Sequence, residues 1–381
     1  MKKIILLCVA FVCSLASYAQ TFMQDDLTYI VISGTNEVSV GSLRIISPIE
    51  FNIPDKVTYN NVEYNVTTIR KDAFNGCTGL TSITIPNSII TIEDNAFRSC
   101  YNLTSITIPS SVVYIGNDIF NECFALIEIN INYKNNNYAS ENGVFFNKEK
   151  TELIRFPSGK QGNYSIPSSV IDIRNRAFYF CKNLTSITMT GNVVSIGNDA
   201  FWNCIGLISI NIFDGVKTIG NRAFYNCSNL ASITIPESVT NFGSDVFSNC
   251  NNLLSITVQW VEPSKVTYGS SYISPLVYDP FLISSKRTLN IPKGTLAAYQ
   301  ASVWSDFILK EQEESNIENI LSENYQIYSC NEKIYIKSNI SENINIYSIT
   351  GLKYTFTVNT GLNEFTLPKG IYIVNGKKII I

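Results

Sequence analysis

Apolar residues in this chain recur at two nested periods. The shorter is the alternation Ser82-Ile83-Thr84-Ile85, which ends at Pro86. Alternation over a few residues is the pattern of a half-buried strand, and proline cannot donate in a ladder. The longer period is 23 residues. Cys77, Cys100 and Cys123 stand 23 apart, as do Cys181, Cys204, Cys227 and Cys250. A phenylalanine precedes each by three, at Phe74, Phe97, Phe120, Phe178, Phe201, Phe224 and Phe247. The stretch Ile69-Arg70-Lys71-Asp72-Ala73-Phe74-Asn75-Gly76-Cys77 is too short for an independent helix and predicts one helical or 3₁₀ turn.

One short strand and one turn cannot bury an apolar face alone, whereas stacked copies bury it continuously. The period therefore predicts a repeat solenoid with parallel strands about 4.8 Å apart. Ladders of Ile69, Ala73, Phe74, Cys77, Leu80, Ile83 and Ile85 and their equivalents face inward. Successive strand side chains point to opposite faces. The outward set is then Ser82 and Thr84, Ser105 and Thr107, Glu128 and Asn130, Ser186 and Thr188, Ser209 and Asn211, Ser232 and Thr234, Ser255 and Thr257, a nearly uncharged hydroxyl and amide lattice.

Between Cys123 and Cys181 the period breaks. Residues 133–171 read as an enlarged coil through which the solenoid continues. It carries a hairpin, with a turn at Asn142-Gly143 and strands at Val144-Phe145-Phe146 and Glu152-Leu153-Ile154-Arg155-Phe156. Residues 20–66 read as an N-terminal β cap with a turn at Asn60-Asn61. Residues 259–310 read as a C-terminal cap holding Trp260, Pro280, Phe281 and Trp304, and 311–323 as a solvated linker that begins with Glu311, Glu313 and Glu314. From 324 to 381, short alternating runs separated by Thr350-Gly351, Thr360-Gly361 and Asn375-Gly376 give the pattern of a small Ig-like antiparallel β-sandwich.

Composition narrows the chemistry. Of 381 residues, 45% are hydrophobic and 15% charged, against a usual charged share of about 25%, which suits an ordered, core-rich chain. A net charge of −3 offers no basic field for nucleic acid. There is no histidine, so imidazole catalysis and histidine metal sites are ruled out. One thiol per coil at an equivalent position, flanked by phenylalanine and leucine, reads as a column of inert buried cysteines rather than disulfides or nucleophiles. No catalytic residue, metal site or cofactor is expected. The enzymatic alternative is a carboxylate-dependent glycan-acting enzyme. Residues 1–19, with Lys2-Lys3, an apolar run from Ile4 to Leu15 and Ser17-Tyr18-Ala19, read as a secretory signal peptide; a lipid anchor at Cys13 fits less well because of Val12. No stretch reaches the roughly 20 apolar residues of a membrane span.

The phrase Ile219-Gly220, then Ala223-Phe224-x-x-Cys227-x-x-Leu230-x-x-Ile233-x-Ile235-Pro236, resembles the BspA-like leucine-rich repeats, in seven copies from about Ile69 to Val258. The resemblance implies a leucine-rich-repeat-type solenoid over 67–258 in a secreted or surface protein, of a family in which some members bind host proteins; the extended surface is expected to take an extracellular or host protein or glycan as partner. Ile346-Tyr347-x-x-x-Gly351, Gly361-Leu362-Asn363, Leu367-Pro368-Lys369-Gly370-Ile371-Tyr372 and Lys377-Lys378 resemble the type A sorting domain of the type IX secretion system. This implies that 324–381 engage that secretion machinery and are removed at the surface. The chain departs from many relatives by ending in Ile379-Ile380-Ile381 rather than a basic residue.

Candidate partner-binding residues are deviations from the regular lattice. Tyr179, Trp202 and Tyr225 occupy one repeat position in three consecutive coils, offering aromatic area with polar handles. Glu128 and Asn130 interrupt the hydroxyl rows, and Arg155 and Phe156 lie in the hairpin insert. Arg176, Asp199, Arg222 and Asp245 alternate in sign at one position and read as a register device. A purely structural surface-layer component is a further alternative, predicting self-association.

Overall fold

The computed structural model describes residues 20–43, 49–189, 192–268, 287–302, 304–305, 307–312, 325–330, 333–338, 341–348, 353–367, 371–374 and 377–380. The signal peptide, Pro280, Phe281, nearly all of the linker, and the turns at Thr350-Gly351 and Asn375-Gly376 lie outside them. The chain divides into two compact units, Met1–Asn137 and Tyr138–Ile381.

In the first unit, Thr21–Gln24, Leu27–Val31 and Glu37–Val40 form an antiparallel meander. Glu37–Val40 joins Val62–Ile69 in parallel, and Val62–Ile69 makes a hairpin with Lys56–Tyr59. The hairpin turn holds Asn60 and Asn61 at φ 52° and 60°, the left-handed pair that suits a tight strand reversal. Parallel pairing then follows in two rows. A longer row pairs Ile49–Asn52 with Leu80–Thr84, and Ser105–Ile108 with Glu128–Ile131. A second row stacks Val62–Ile69, Thr91–Ile92 and Tyr114–Ile115. The period predicts one strand per coil; each coil has two. The second is only two residues long, too short to show alternation.

The second unit repeats the plan. The expected hairpin is present: Tyr138–Glu141, Val144–Asn147 and Glu152–Arg155 pair antiparallel, with Asn142 and Gly143 at the turn. Glu152–Arg155 then starts a parallel row through Asp172–Ile173, Ser195–Ile196, Thr218–Ile219, Asn241–Phe242 and Thr267–Tyr268. The longer row comprises Gly162–Ser165, Leu184–Thr188 and Ser209–Asn211, then Ser232–Ile235, Ser255–Val258, Thr288–Ile291 and Ile308–Glu311.

The turn between rows is not helical, which corrects the expected helical or 3₁₀ turn. Alternate N–H groups do two different things. Those of Ala73, Asn75 and Cys77 bond locally to the carbonyls of Arg70, Asp72 and Phe74. Those of Asp72, Phe74 and Gly76 donate to Asp94, Ala96 and Arg98 of the following coil. Aiming every second N–H along the stack requires left-handed residues, supplied by Asp72 (φ 59°) and Gly76 (φ 76°) here and by Arg176 (φ 58°) and Phe180 (φ 60°) in the second unit.

Inside, the phenylalanines stack as a column in each unit. Ring centres are 5.3 Å apart for Phe74 and Phe97, 4.7 Å for Phe178 and Phe201, and 5.1 Å for Phe201 and Phe224. The seven repeat cysteines are buried and form no disulfides with one another. The Cys204 thiol donates to Phe178 O at 3.0 Å and that of Cys227 to Phe201 O at 3.2 Å, so each thiol ties its coil to the one before. Register on the outer corner comes from asparagines: Asn198 N donates to Asn175 Oδ1, and Asn221 N to Asn198 Oδ1, each at 2.8 Å. Gly220 sits beside this ladder because a Cβ there would stand 2.6 Å from Asn198 N.

Beyond the repeats, Trp260 and Trp304 are buried in the same core. Trp260 Nε1 donates to Val239 O at 2.9 Å and Trp304 Nε1 to Tyr268 Oη at 3.0 Å. Among the described residues the helical segments are Pro263–Lys265 (3₁₀) and Leu296–Gln300 (α), both here. The described C-terminal strands form two antiparallel sheets. One holds Tyr325–Cys330, Lys333–Ser338 and Gly361–Thr366; the other holds Glu342–Ser348, Lys353–Val358, Ile371–Val374 and Lys377–Ile380. Ile334, Ile336, Ile344, Ile346, Val358 and Leu367 form one apolar cluster there.

Candidate functional site

The strand face is polar and accessible along most of both rows, as the alternation requires. Glu128 is exposed, and Asn130 is half-buried with its Nδ2 3.3 Å from Glu128 Oε2. They stand in register with Ser105 and Thr107 of the preceding coil. Thr188 departs from the expected outward set: it is buried, between Ser165 and Asn211 in the parallel register.

Arg155 and Phe156, expected on the insert's surface, are buried, and the geometry gives the reason. From the coil of Arg176 through that of Arg222, three N–H groups donate forward to carbonyls of the next coil: Arg176, Phe178 and Phe180 reach Asn198 O, Ala200 O and Trp202 O. The enlarged coil has no such turn ahead of Arg176–Phe180, so a backbone N–H and one side chain take over. Phe156 N donates to Ala177 O at 2.7 Å and Arg155 Nη2 to Tyr179 O at 3.2 Å, while Arg155 Nη1 adds a bond at 2.7 Å to Arg176 O, which also accepts from Tyr179 N. Phe156 also enters the ring column, stacked on Phe178 at 5.1 Å. Both residues complete the stack and are buried there.

The aromatic strip does assemble. Tyr179, Trp202 and Tyr225 are all half-buried on the turn side of the second unit. Trp202 stacks on Tyr225 with ring centres 3.9 Å apart and planes 12° apart; Tyr179 lies 6.2 Å from Trp202, tilted by 32°. Asn249 Nδ2 donates to Tyr225 Oη at 2.7 Å, and Asn226 to Asn203 beside it. Guanidinium groups flank the rings, Arg176 5.8 Å from the centre of Tyr179 and Arg222 5.2 Å from that of Trp202. Both arginines reach Asp199, at 3.5 Å for Arg176 Nε and 2.8 Å for Arg222 Nε. The bond from Asp199 raises the Arg222 pKa further, so this cation is fixed. The alternating ladder thus supports the rings as well as the register.

The first unit holds an aromatic pair that pattern reading passes over. Tyr101 and Phe124 stack at 5.3 Å and are 42% and 37% exposed. The signal was available, since both directly follow a repeat cysteine.

The thiols are poor nucleophiles. Burial pushes those of Cys204 and Cys227 well above the ordinary range, and the thiol contact with Cys123, then burial, does the same to Cys100. Among the described residues no cluster of three or more metal-ligating side chains occurs, and no helix is long and apolar enough to cross a membrane.

Parallel strands of stacked coils, an inner phenylalanine and cysteine column and turn-linked carbonyls define a leucine-rich-repeat solenoid. The model of the BspA type leucine rich repeat region, in six copies, matches residues 44–162 and 155–267, and the chain belongs to that family. The match starts before Ile69, in keeping with the parallel pairing of Ile49–Asn52. Similar solved structures include the pneumococcal vaccine antigen PcpA (20% identity, 77% of this chain and 99% of that one, TM-score 0.46). A leucine-rich cell surface protein of Faecalibacterium prausnitzii is 23% identical over 67% of this chain and 96% of that one, with a TM-score of 0.38. A leucine-rich repeat protein of Eubacterium ventriosum is 22% identical over 64% and 79%, with a TM-score of 0.44. Among curated proteins none is significantly similar.

Proposed function

We propose that this protein is an exported, non-enzymatic binding scaffold that presents the turn side of its repeats to an extracellular or host protein or glycan. The observation that carries the reading is the half-buried strip of Tyr179, Trp202 and Tyr225. Large aromatics held rigid by a scaffold lose little conformational entropy on binding, and they dominate contact energy where they occur. Glu128 and Asn130 are the secondary contact candidates on the strand face. Export follows from the signal peptide at 1–19 and from 324–381, a small Ig-like sandwich acting as a type IX address; its support is the pair of antiparallel sheets and the motif glycines.

The test is binding of full-length protein to an array of glycans and matrix proteins. The triple variant Tyr179→Ala, Trp202→Ala, Tyr225→Ala should lose its ligand while keeping its thermal unfolding midpoint within a few degrees. Unchanged binding would remove the strip from the reading. Peptide mapping of the surface form should place a new C-terminus between Lys310 and Asn324, whereas an intact terminus would count against the address.

A further inference from the structure

The strip's geometry restricts what it can hold. Sugar rings usually pack on aromatic faces, but here the faces are occupied: Trp202 stands between Tyr179 and Tyr225, and the guanidiniums of Arg176 and Arg222 lie beside the rings. What points outward is a row of ring rims, which carry the positive part of the ring quadrupole. Charge adds to this. The Arg176 and Arg222 side chains are 39% and 46% exposed while Asp199, which they share, is 7% exposed, so the carboxylate lies behind two cations. Lys182, exposed, sits 5.3 Å from the Phe180 ring. Asp245, half-buried, is the opposing charge at the far end of the ladder.

We infer that the strip binds an acidic polysaccharide, reading carboxylates with Arg176 and Arg222 and hydroxyls with the neighbouring carboxamides of Asn203 and Asn226. This deepens the surface-binding reading above and rests on it. Two observations favour a glycan over an acidic peptide. The backbone N–H groups of Arg176, Phe178 and Phe180 are committed to the next coil, so a peptide main chain gains no ladder from them. Arg176 and Arg222 also stand two coils apart, about 10 Å, a spacing that suits the disaccharide repeat of an extended uronate chain.

The experiment measures binding of full-length protein to polygalacturonate, to its methyl ester and to poly-glutamate of matched length. Polygalacturonate should bind, more weakly as salt rises. The ester and poly-glutamate should bind at least tenfold more weakly. Arg222→Gln and Trp202→Ala should each weaken polygalacturonate binding about tenfold, the cost of losing one central contact. Arg222→Lys, which keeps the charge but not the planar fork, should lie between. Equal affinity for poly-glutamate, absence of polygalacturonate binding, or variants indistinguishable from the parent would each overturn the inference. A neutral glycan or a protein whose capture is abolished by the triple alanine variant would overturn it too, while leaving the surface-binding role intact. Loss of no ligand at all in that variant would remove the strip from the surface-binding reading as well.

Discussion

The two units have interiors of the same composition and differ at the outer corner. In both, phenylalanines stack and cysteines bond back to the preceding coil. The residues at the position of Tyr179, Trp202 and Tyr225 are Asn75, Arg98 and Asn121 in the first unit, and the position of Arg176 holds Asp72, Asn95 and Asp118. There the corner is a polar network: Asn75 Nδ2 bonds Asp72 at 3.1 Å, and Arg98 pairs with Glu122 at 3.1 Å. Its aromatics are displaced to Tyr101 and Phe124, just past the cysteine, where the second unit has Lys182, Ile205, Ser228 and Asn251. A repeat array can therefore keep a constant core while each stretch of its surface takes a separate chemistry, because the inward residues recur unchanged while the outward ones differ from unit to unit.

That comparison can be broken most severely at the core. Phe97→Ala and Phe201→Ala should each cost about 3–5 kcal/mol in urea unfolding; a large difference between them would show that the two columns are not equivalent. Next come the glycines. Gly116→Ala and Gly220→Ala place a Cβ 2.4 Å and 2.6 Å from the backbone nitrogens of Asp94 and Asn198, so overpacking of about 1–3 kcal/mol is expected in both units. Gly76→Ala, with open space but φ 76°, should cost only about 1 kcal/mol.

Alkaline titration is a milder probe. The thiols of Cys100, Cys204 and Cys227 have raised pKa values in the folded chain. Unfolded thiols release protons above about pH 9 while the folded ones hold theirs, so their contribution to stability is pH-independent below that point and falls above it, by about 1.4 kcal/mol per pH unit per thiol. Replacing Cys204 and Cys227 with alanine should flatten the slope; an unchanged slope would mean that other groups carry it. The smallest effects belong to the outer corners, where Tyr101→Ala and Trp202→Ala should each shift stability by about 1 kcal/mol. Only the second should affect ligand capture, and reversal of that order would move the binding face to the first unit.

The solenoid was legible because burial acts identically on every coil, so Phe74, Cys77 and Leu80 recur without drift. The two-residue strands such as Thr91–Ile92 were not, since no period fits in two residues. Nor was the turn: its left-handed residues include Arg176 and Phe180 as well as glycine and asparagine, so no residue type marks it. The strip could be placed from sequence because it sits on the period. Arg155 could not, because a charged residue beside a hairpin suggests exposure, and only the carbonyls left open by a missing turn explain its burial.

The one-way donation in the turn row has an electrical consequence. Because the N–H groups of Arg176, Phe178 and Phe180, then of Asp199, Phe201 and Asn203, then of Arg222, Phe224 and Asn226, all donate to the following coil, their peptide dipoles add as in an α-helix. The early end of the row is its negative pole, and the guanidinium of Arg155 sits on it, 3.2 Å from Tyr179 O. Neutral Arg155→Met would forfeit that charge complement together with the bonds, making the hairpin coil a battery terminal as well as a spacer.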